Sequence, residues 1–177
     1  MAVESHKIKD KIIGYLQGNP SDIMDIGCGD ETIIEGAFGV DGRDFPCVKF
    51  RTDNLYDLPN QMPPFYLGAF SSVCSSHTLE HLPDTYRAIT EWSKFVKPNG
   101  YFILYLPCGK MYDNYGNLEH FHDTTHEQFV FWFRRAFCGE AKNFKGERYA
   151  EPIFEIVEHG TDYGENRYSF YLVAKKL

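Results

Sequence analysis

Ile8, Ile12, Tyr15 and Leu16 recur at the spacing of a buried helical stripe, and Gly18-Asn19-Pro20 ends that helix. Ile23-Met24-Asp25-Ile26 is a short apolar run closed by glycine, which predicts a strand buried on both faces. Residues 37–40 and 47–50 predict a second and a third strand, and 68–74 a fourth. Pro83 is expected in the first turn of a helix whose buried stripe is Ile89, Trp92, Phe95 and Val96. Lys97-Pro98-Asn99-Gly100 stops it, and Tyr101 to Leu106 is a fully apolar fifth strand. A further helix begins near Thr125, and two β runs, 153–157 and 168–174, flank a Gly164-Glu165-Asn166 turn that predicts a hairpin.

Strands alternating with helices, then a hairpin, predict an α/β Rossmann-like fold: a mostly parallel sheet of six or seven strands with an antiparallel C-terminal hairpin strand. Only the ten residues 30–39 separate the first glycine turn from Val40, so the first crossover helix is expected to be short, around Thr32 to Glu35. No repeat, linker or low-complexity tract divides the 177 residues, which suit one domain, 1–177, with one core.

Lys and Arg total 18 against 25 Asp and Glu, a net charge of −7 that disfavours a long nucleic acid as partner. The opening MAVESHKIKDKIIGYL has no apolar signal-peptide core, and no run approaches the ~18 apolar residues of a membrane span. Cys28, Cys47, Cys74, Cys108 and Cys138 are odd in number and widely spaced, as in reduced thiols of a cytoplasmic protein.

In open α/β sheets ligands sit beyond the carboxyl ends of the strands. The first strand ends in Asp25-Ile26-Gly27-Cys28-Gly29-Asp30, whose glycines allow a sharp turn and close approach to a ligand, with N–H groups expected to face an anion such as an amino-acid carboxylate. The second ends in Val40-Asp41-Gly42, where a carboxylate can accept both hydroxyls of a ribose. After the third comes Thr52-Asp53-Asn54-Leu55, where an acid and neighbouring N–H groups could read adenine. Each acid alone is an ordinary turn residue; three at successive strand ends form a pattern. A pyrophosphate-binding G-x-G-x-x-G is excluded, because position 32 is threonine.

The series DIMDIGCGD, GVD, TDNLYDLP, SSHTLEHLPD and FVKPNGYFILYLP resembles the class I S-adenosylmethionine-dependent methyltransferases, in particular their small type 11 group. The resemblance runs from about Asp22 to Leu106 and more loosely to Phe133. It implies S-adenosyl-L-methionine as cofactor, with Asp25, Ile26, Gly27, Cys28 and Gly29 around its methionine part, Asp41 and Gly42 at the ribose, and Asp53, Asn54 and Leu55 at adenine. Ser75, Ser76 and His77 would flank the sulfonium. Where the family has a third glycine, this chain has Glu31. Pro63-Pro64-Phe65 resembles a nucleic-acid N-methylation signature but precedes the fourth strand instead of following it, and is read as a loop.

Methyl transfer to a hydroxyl or amine needs alignment and removal of a proton, for which histidine is suited. His81, His120 and His122 follow the fourth and fifth strands and are the candidate bases. His77, Glu80, His81 and His120 could instead hold a divalent cation, or the segment could simply pack a helix start; no metal is assigned from sequence. The stripe Phe129, Trp132, Phe133 is expected in the core, with Tyr112, Tyr115 and Phe121 as pocket residues. The expected activity is methylation of an O or N atom on a small molecule or sugar by a monomer or homodimer. The alternative is a cofactor-binding module without catalysis that serves a partner protein.

Overall fold

The computed structural model describes residues 4–112, 116–164 and 167–177. Seven strands, β1 (Ile23–Ile26), β2 (Phe38–Asp41), β3 (Val48–Arg51), β4 (Phe70–Ser76), β5 (Val96–Pro107), β6 (Phe154–Gly164) and β7 (Arg167–Lys176), form one sheet in the order β3-β2-β1-β4-β5-β7-β6. β1 to β5 are parallel, whereas β7 runs antiparallel to both β5 and β6. Chain order reverses between β1 and β4, so their carboxyl ends open the crevice of such sheets.

Alternating side chains of the central strands feed two cores. Met24, Ile26, Val73, Phe102 and Leu104 face α2 (Leu58–Gln61), α3 (Thr85–Ser93) and α4 (His126–Phe137), with Trp92, Phe133, Phe137 and Phe154 filling that layer. Cys74, Ile103, Tyr105 and Val173 face the other way, against Ile8, Ile12 and Leu16 of α1 (Glu4–Ile12) and its continuation. Lys11 pairs with Asp162 at 2.9 Å, and Tyr105 donates to the same carboxylate, tying α1 to the hairpin.

Four expectations are corrected. Val96 and residues 97–100 belong to β5, since α3 already ends at Ser93. The stretch 27–37 contains no helix, because the Ile33 N–H donates to the Asp25 carboxylate at 2.7 Å and the Thr32 hydroxyl to Ile34 O, bonds that bend the chain. Gly39 lets this loop lie directly on β2, since a Cβ there would stand 2.9 Å from Cys28 Sγ and 3.1 Å from Thr32 Cγ2. The helix after β4 starts at Thr85 with Asp84 as its cap, so Pro83 precedes it. The terminal hairpin is far longer than its apolar runs, its strands spanning 154–164 and 167–176; the predicted turn residues 165 and 166 lie outside the described residues. The helix expected near Thr125 is present, with a reciprocal Thr125–Gln128 capping box. Pro64–Tyr66 is a short 3-10 turn in the connection before β4.

Candidate functional site

The glycine turn after β1 is fixed by β2. Gly27 and Gly29 have φ of +75° and +64°, a region that disfavours any side chain. Gly27 and Cys28 donate to Val40 O, and Gly29 donates to Asp41 Oδ2 at 3.0 Å. These N–H groups are therefore taken up by β2, Gly29 by the Asp41 carboxylate itself, and do not point at a ligand anion as expected; the Gly27 and Gly29 carbonyls in turn accept from Thr78 Oγ1 and Cys47 Sγ. Ile26 is fully buried in the core, so only its backbone borders the turn. Cys28 lies 4.0 Å, sulfur to sulfur, from Cys47, and all five cysteines are unpaired thiols. Glu31, 61% exposed, leans to His6 at 3.7 Å and stays out of the turn.

The three acids approach one region. Asp25 is buried, and that burial, against the hydrogen bond from Ile33 and with Asp41 nearby, raises its carboxyl to about 7. Burial also opposes ionisation of Asp41, but hydrogen bonds from the Arg43 side chain and backbone and from Gly29 outweigh it and hold that group below its ordinary value. Arg43 Nε donates to Asp41 Oδ1 at 3.1 Å while its guanidinium stacks on Phe45. Asp53 is exposed, its Oδ1 3.3 Å from where a Gly42 Cβ would be. Asn54 accepts from the Tyr56 N–H, and Leu55 O accepts from Trp92 Nε1, which pins this segment to α3.

At the end of β4, Ser75 Oγ donates to Ile26 O and Ser76 Oγ is buried without a hydrogen-bond partner. His77 holds a left-handed φ of +48° and contacts Ser169 Oγ through Nε2 at 2.9 Å. Burial, with Lys7 and two histidines nearby, lowers it to about 3, which keeps the ring neutral. The Thr78 side chain fills the space over Gly27, where a Cβ would fall 1.9 Å from its hydroxyl.

The candidate bases divide into two groups. His81 and His120 have ring centres 4.7 Å apart and stand with Glu80, which burial pushes up to about 8. His122 is elsewhere: its Nε2 lies 2.7 Å from Leu82 O and 2.9 Å from Thr85 Oγ1. A carbonyl only accepts, so Nε2 carries the proton and Nδ1 is the basic nitrogen of the neutral ring.

His122 also borders a cavity of about 380 Å³ between the starts of α3 and α4. Leu79, Tyr86, Leu106, Phe129, Trp132 and Phe170 make it chiefly apolar, with Glu80, Asp84, Thr85 and Thr124 as polar contributors. The sequence pointed instead to Tyr112, Tyr115 and Phe121. Tyr112 stacks on Tyr168 and lines a separate open pocket with Gly116, Asn117, Leu118 and Glu119, Phe121 is exposed, and Tyr115 lies outside the described residues. Phe133 is core, as expected, but Phe129 and Trp132 also line the cavity. Tyr86 and Phe170 carry no sequence signal, because distant elements bring them together. Among the described residues no helix is long and apolar enough to cross a membrane.

Residues 24–104 match the family described as a methyltransferase domain. No curated protein matches the chain. Similar solved structures include an S-adenosylmethionine-dependent methyltransferase from Methanosarcina mazei (19% identity, 94% of this chain and 97% of that one, TM-score 0.59). Another is a Haloferax volcanii protein in complex with the Trm112 methyltransferase activator (14% identity, 97% and 90%, TM-score 0.60). A third is geranyl diphosphate C-methyltransferase from Streptomyces coelicolor A3(2), bound to Mg2+, geranyl-S-thiolodiphosphate and S-adenosyl-L-homocysteine (12% identity, 96% and 75%, TM-score 0.61). At these identities the likeness is one of fold.

Proposed function

We propose, from the premise that residues 24–104 form a class I S-adenosylmethionine-dependent methyltransferase domain, that the protein methylates an O or N atom of a small molecule with an apolar, ring-bearing body. The observation that carries this reading is the continuity of Thr78-Leu79-Glu80: Thr78 packs on the glycine turn, and the next two residues line the cavity. Donor crevice and acceptor cavity thus share one wall.

The residues fit the donor. Asp41 already accepts two hydrogen bonds on one oxygen, and the Arg43 side chain, 61% exposed, can leave that oxygen to a ribose hydroxyl at small cost. Asp53 stands beside Gly42 for the base, and the space over Gly29, where only Arg43 lies within 4 Å of an added Cβ, is left for the methionine part. The bound donor supplies an activated methyl on a sulfonium. The protein's part is to align the acceptor at about 3–3.5 Å and exclude water, for which the apolar cavity is suited. His122, its tautomer set by Leu82 O, is the base for an acceptor hydroxyl or ammonium proton. A cavity of this volume is within the ~300–1,000 Å³ range of small-ligand sites, and its apolar walls favour a phenol- or indole-like body over a bare sugar.

The test is calorimetry with S-adenosyl-L-homocysteine, followed by turnover on panels of phenols, heteroaromatic amines and sugars. Binding together with turnover of a ring-bearing acceptor, reduced at least tenfold by His122→Ala with cofactor affinity unchanged, supports the reading. Binding without turnover of any acceptor supports the partner-module alternative, and no binding refutes both.

A further inference from the structure

Between the glycine turn and the cavity lies a side-chain cluster with an excess of acceptors. Glu80 is 4% exposed, and neither of its carboxylate oxygens has a hydrogen-bond partner among the described residues. A buried carboxylate left this way costs several kcal/mol unless a proton or cation meets it. Facing it are His77, whose Nδ1 lies 3.6 Å from Glu80 Oε1, and His81, whose Nδ1 lies 3.1 Å from Glu119 O and must donate there. His81 Nε2, the other ring nitrogen, stands 4.0 Å from Glu80 Oε1, beyond hydrogen-bond reach and open to a ligand between them. The His120 ring meets that of His81 edge-on. One ligand atom from each of Glu80, His81 and His120 lies within 4.8 Å of the other two.

We propose that Glu80, His81 and His120 bind a divalent transition-metal ion of the Zn2+ class. Two imidazoles and one carboxylate suit Zn2+ or Co2+, whereas Mg2+ and Ca2+ call for a shell of oxygens. Bonds of about 2.0–2.2 Å put tetrahedral ligand atoms roughly 3.4 Å apart, so the triangle closes with shifts of about 1 Å within the rotamer freedom of the half-buried histidines. Two contacts already brace it. Glu119 O orients the His81 ring, the backbone-carbonyl support common for metal-binding histidines. The Phe121 N–H donates to Glu80 O at 2.8 Å, clamping the loop that bears His120 onto the segment that bears Glu80.

Three protein ligands leave a coordination position open. Glu80 also lines the cavity, so that position adjoins the acceptor. This role, unlike the site itself, rests on the methyltransferase reading: an acceptor hydroxyl on the ion becomes more acidic, its O–H bond breaks, and the proton passes to His122 in the same cavity.

The test uses the full chain without a histidine tag, stripped with a chelator and titrated with Co2+, then Zn2+. The expected result is one Co2+ per chain with the visible absorption of a four- or five-coordinate nitrogen and oxygen site, displaced by Zn2+. Glu80→Gln and His120→Ala should each weaken Co2+ binding at least tenfold. Absence of stoichiometric binding to the unaltered chain, or unaltered binding in either variant, overturns the site. Should Glu80→Gln fail to fold, His120→Ala, on a partly exposed loop residue, carries the test. Calorimetry with S-adenosyl-L-homocysteine in parallel separates the two readings. Co2+ binding without it refutes the donor assignment and upholds the metal site; the converse overturns the metal site alone.

Discussion

Asp25 makes the stability of the fold depend on pH in a direction opposite to that of most paired carboxylates. Its side chain is 1% exposed and receives one short hydrogen bond, from the Ile33 N–H, which does not offset its burial. Its carboxyl therefore titrates near 7 in the folded chain, against 3.8 when solvated. Between those values the folded state holds a proton that the unfolded state has released, so stability falls as pH rises. At 1.36 kcal/mol per pH unit the full penalty is on the order of 4 kcal/mol, of which about 3 kcal/mol is expressed between pH 4.5 and 7.5. Asp25→Asn keeps an acceptor for Ile33 but cannot ionise. Urea unfolding of both proteins at the two pH values isolates the effect, because every other titrating group is shared. The variant should gain about 3 kcal/mol relative to the unaltered chain on going from pH 4.5 to 7.5. An equal stability difference at both pH values would refute the reasoning, and would mean that water or another donor reaches the Asp25 carboxylate.

Gly27→Ala should destabilise the fold by more than about 2 kcal/mol, since a left-handed alanine costs roughly 1–2 kcal/mol and its Cβ would also strike Thr78. Thermal unfolding measures this, and Thr78→Ala in the same chain should restore part of the loss; no restoration would remove Thr78 from the glycine turn. Asp41→Ala should weaken S-adenosyl-L-homocysteine binding by about 1.5–3 kcal/mol, read by calorimetry, and unchanged affinity would exclude it from the ribose site. Arg43→Ala should leave that affinity unchanged or tighten it up to about fivefold, because an exposed pair contributes ~0–1 kcal/mol; a large loss would make Arg43 a direct contact.

β1, β4 and β5 were legible as short buried segments, β1 and residues 101–106 of β5 as apolar runs and β4 as a buried run of small and apolar residues. β6 was legible only within 153–157, because it is an edge strand whose inward positions alternate with exposed Glu155, His159 and Thr161, and Gly160 within it resembles a turn. That glycine is needed where the Tyr171 ring crosses the strand, 3.0 Å from where a Cβ would be. The missing crossover helix was misread for a similar reason: nothing local signals that the Ile33 N–H will be taken by Asp25, eight residues earlier. The acids at the strand ends could be found from their spacing alone. The pairing of His81 with His120, and the cavity wall of Tyr86, Trp132 and Phe170, depend on how separate elements dock, which periodicity does not encode.

The helix-free stretch 27–37 has an electrostatic consequence. A helix starting at the glycine turn would bring the equivalent of about half a positive charge to that end of the sheet. Without it, the Asp41 and Asp53 carboxylates, joined by Asp25 once it ionises near pH 7, are offset there by Arg43, the same side chain that a ribose would displace. On the proposed reading, a crevice of that polarity would discriminate between a charged sulfonium donor and its spent, uncharged thioether, and would favour release of product after each methyl transfer.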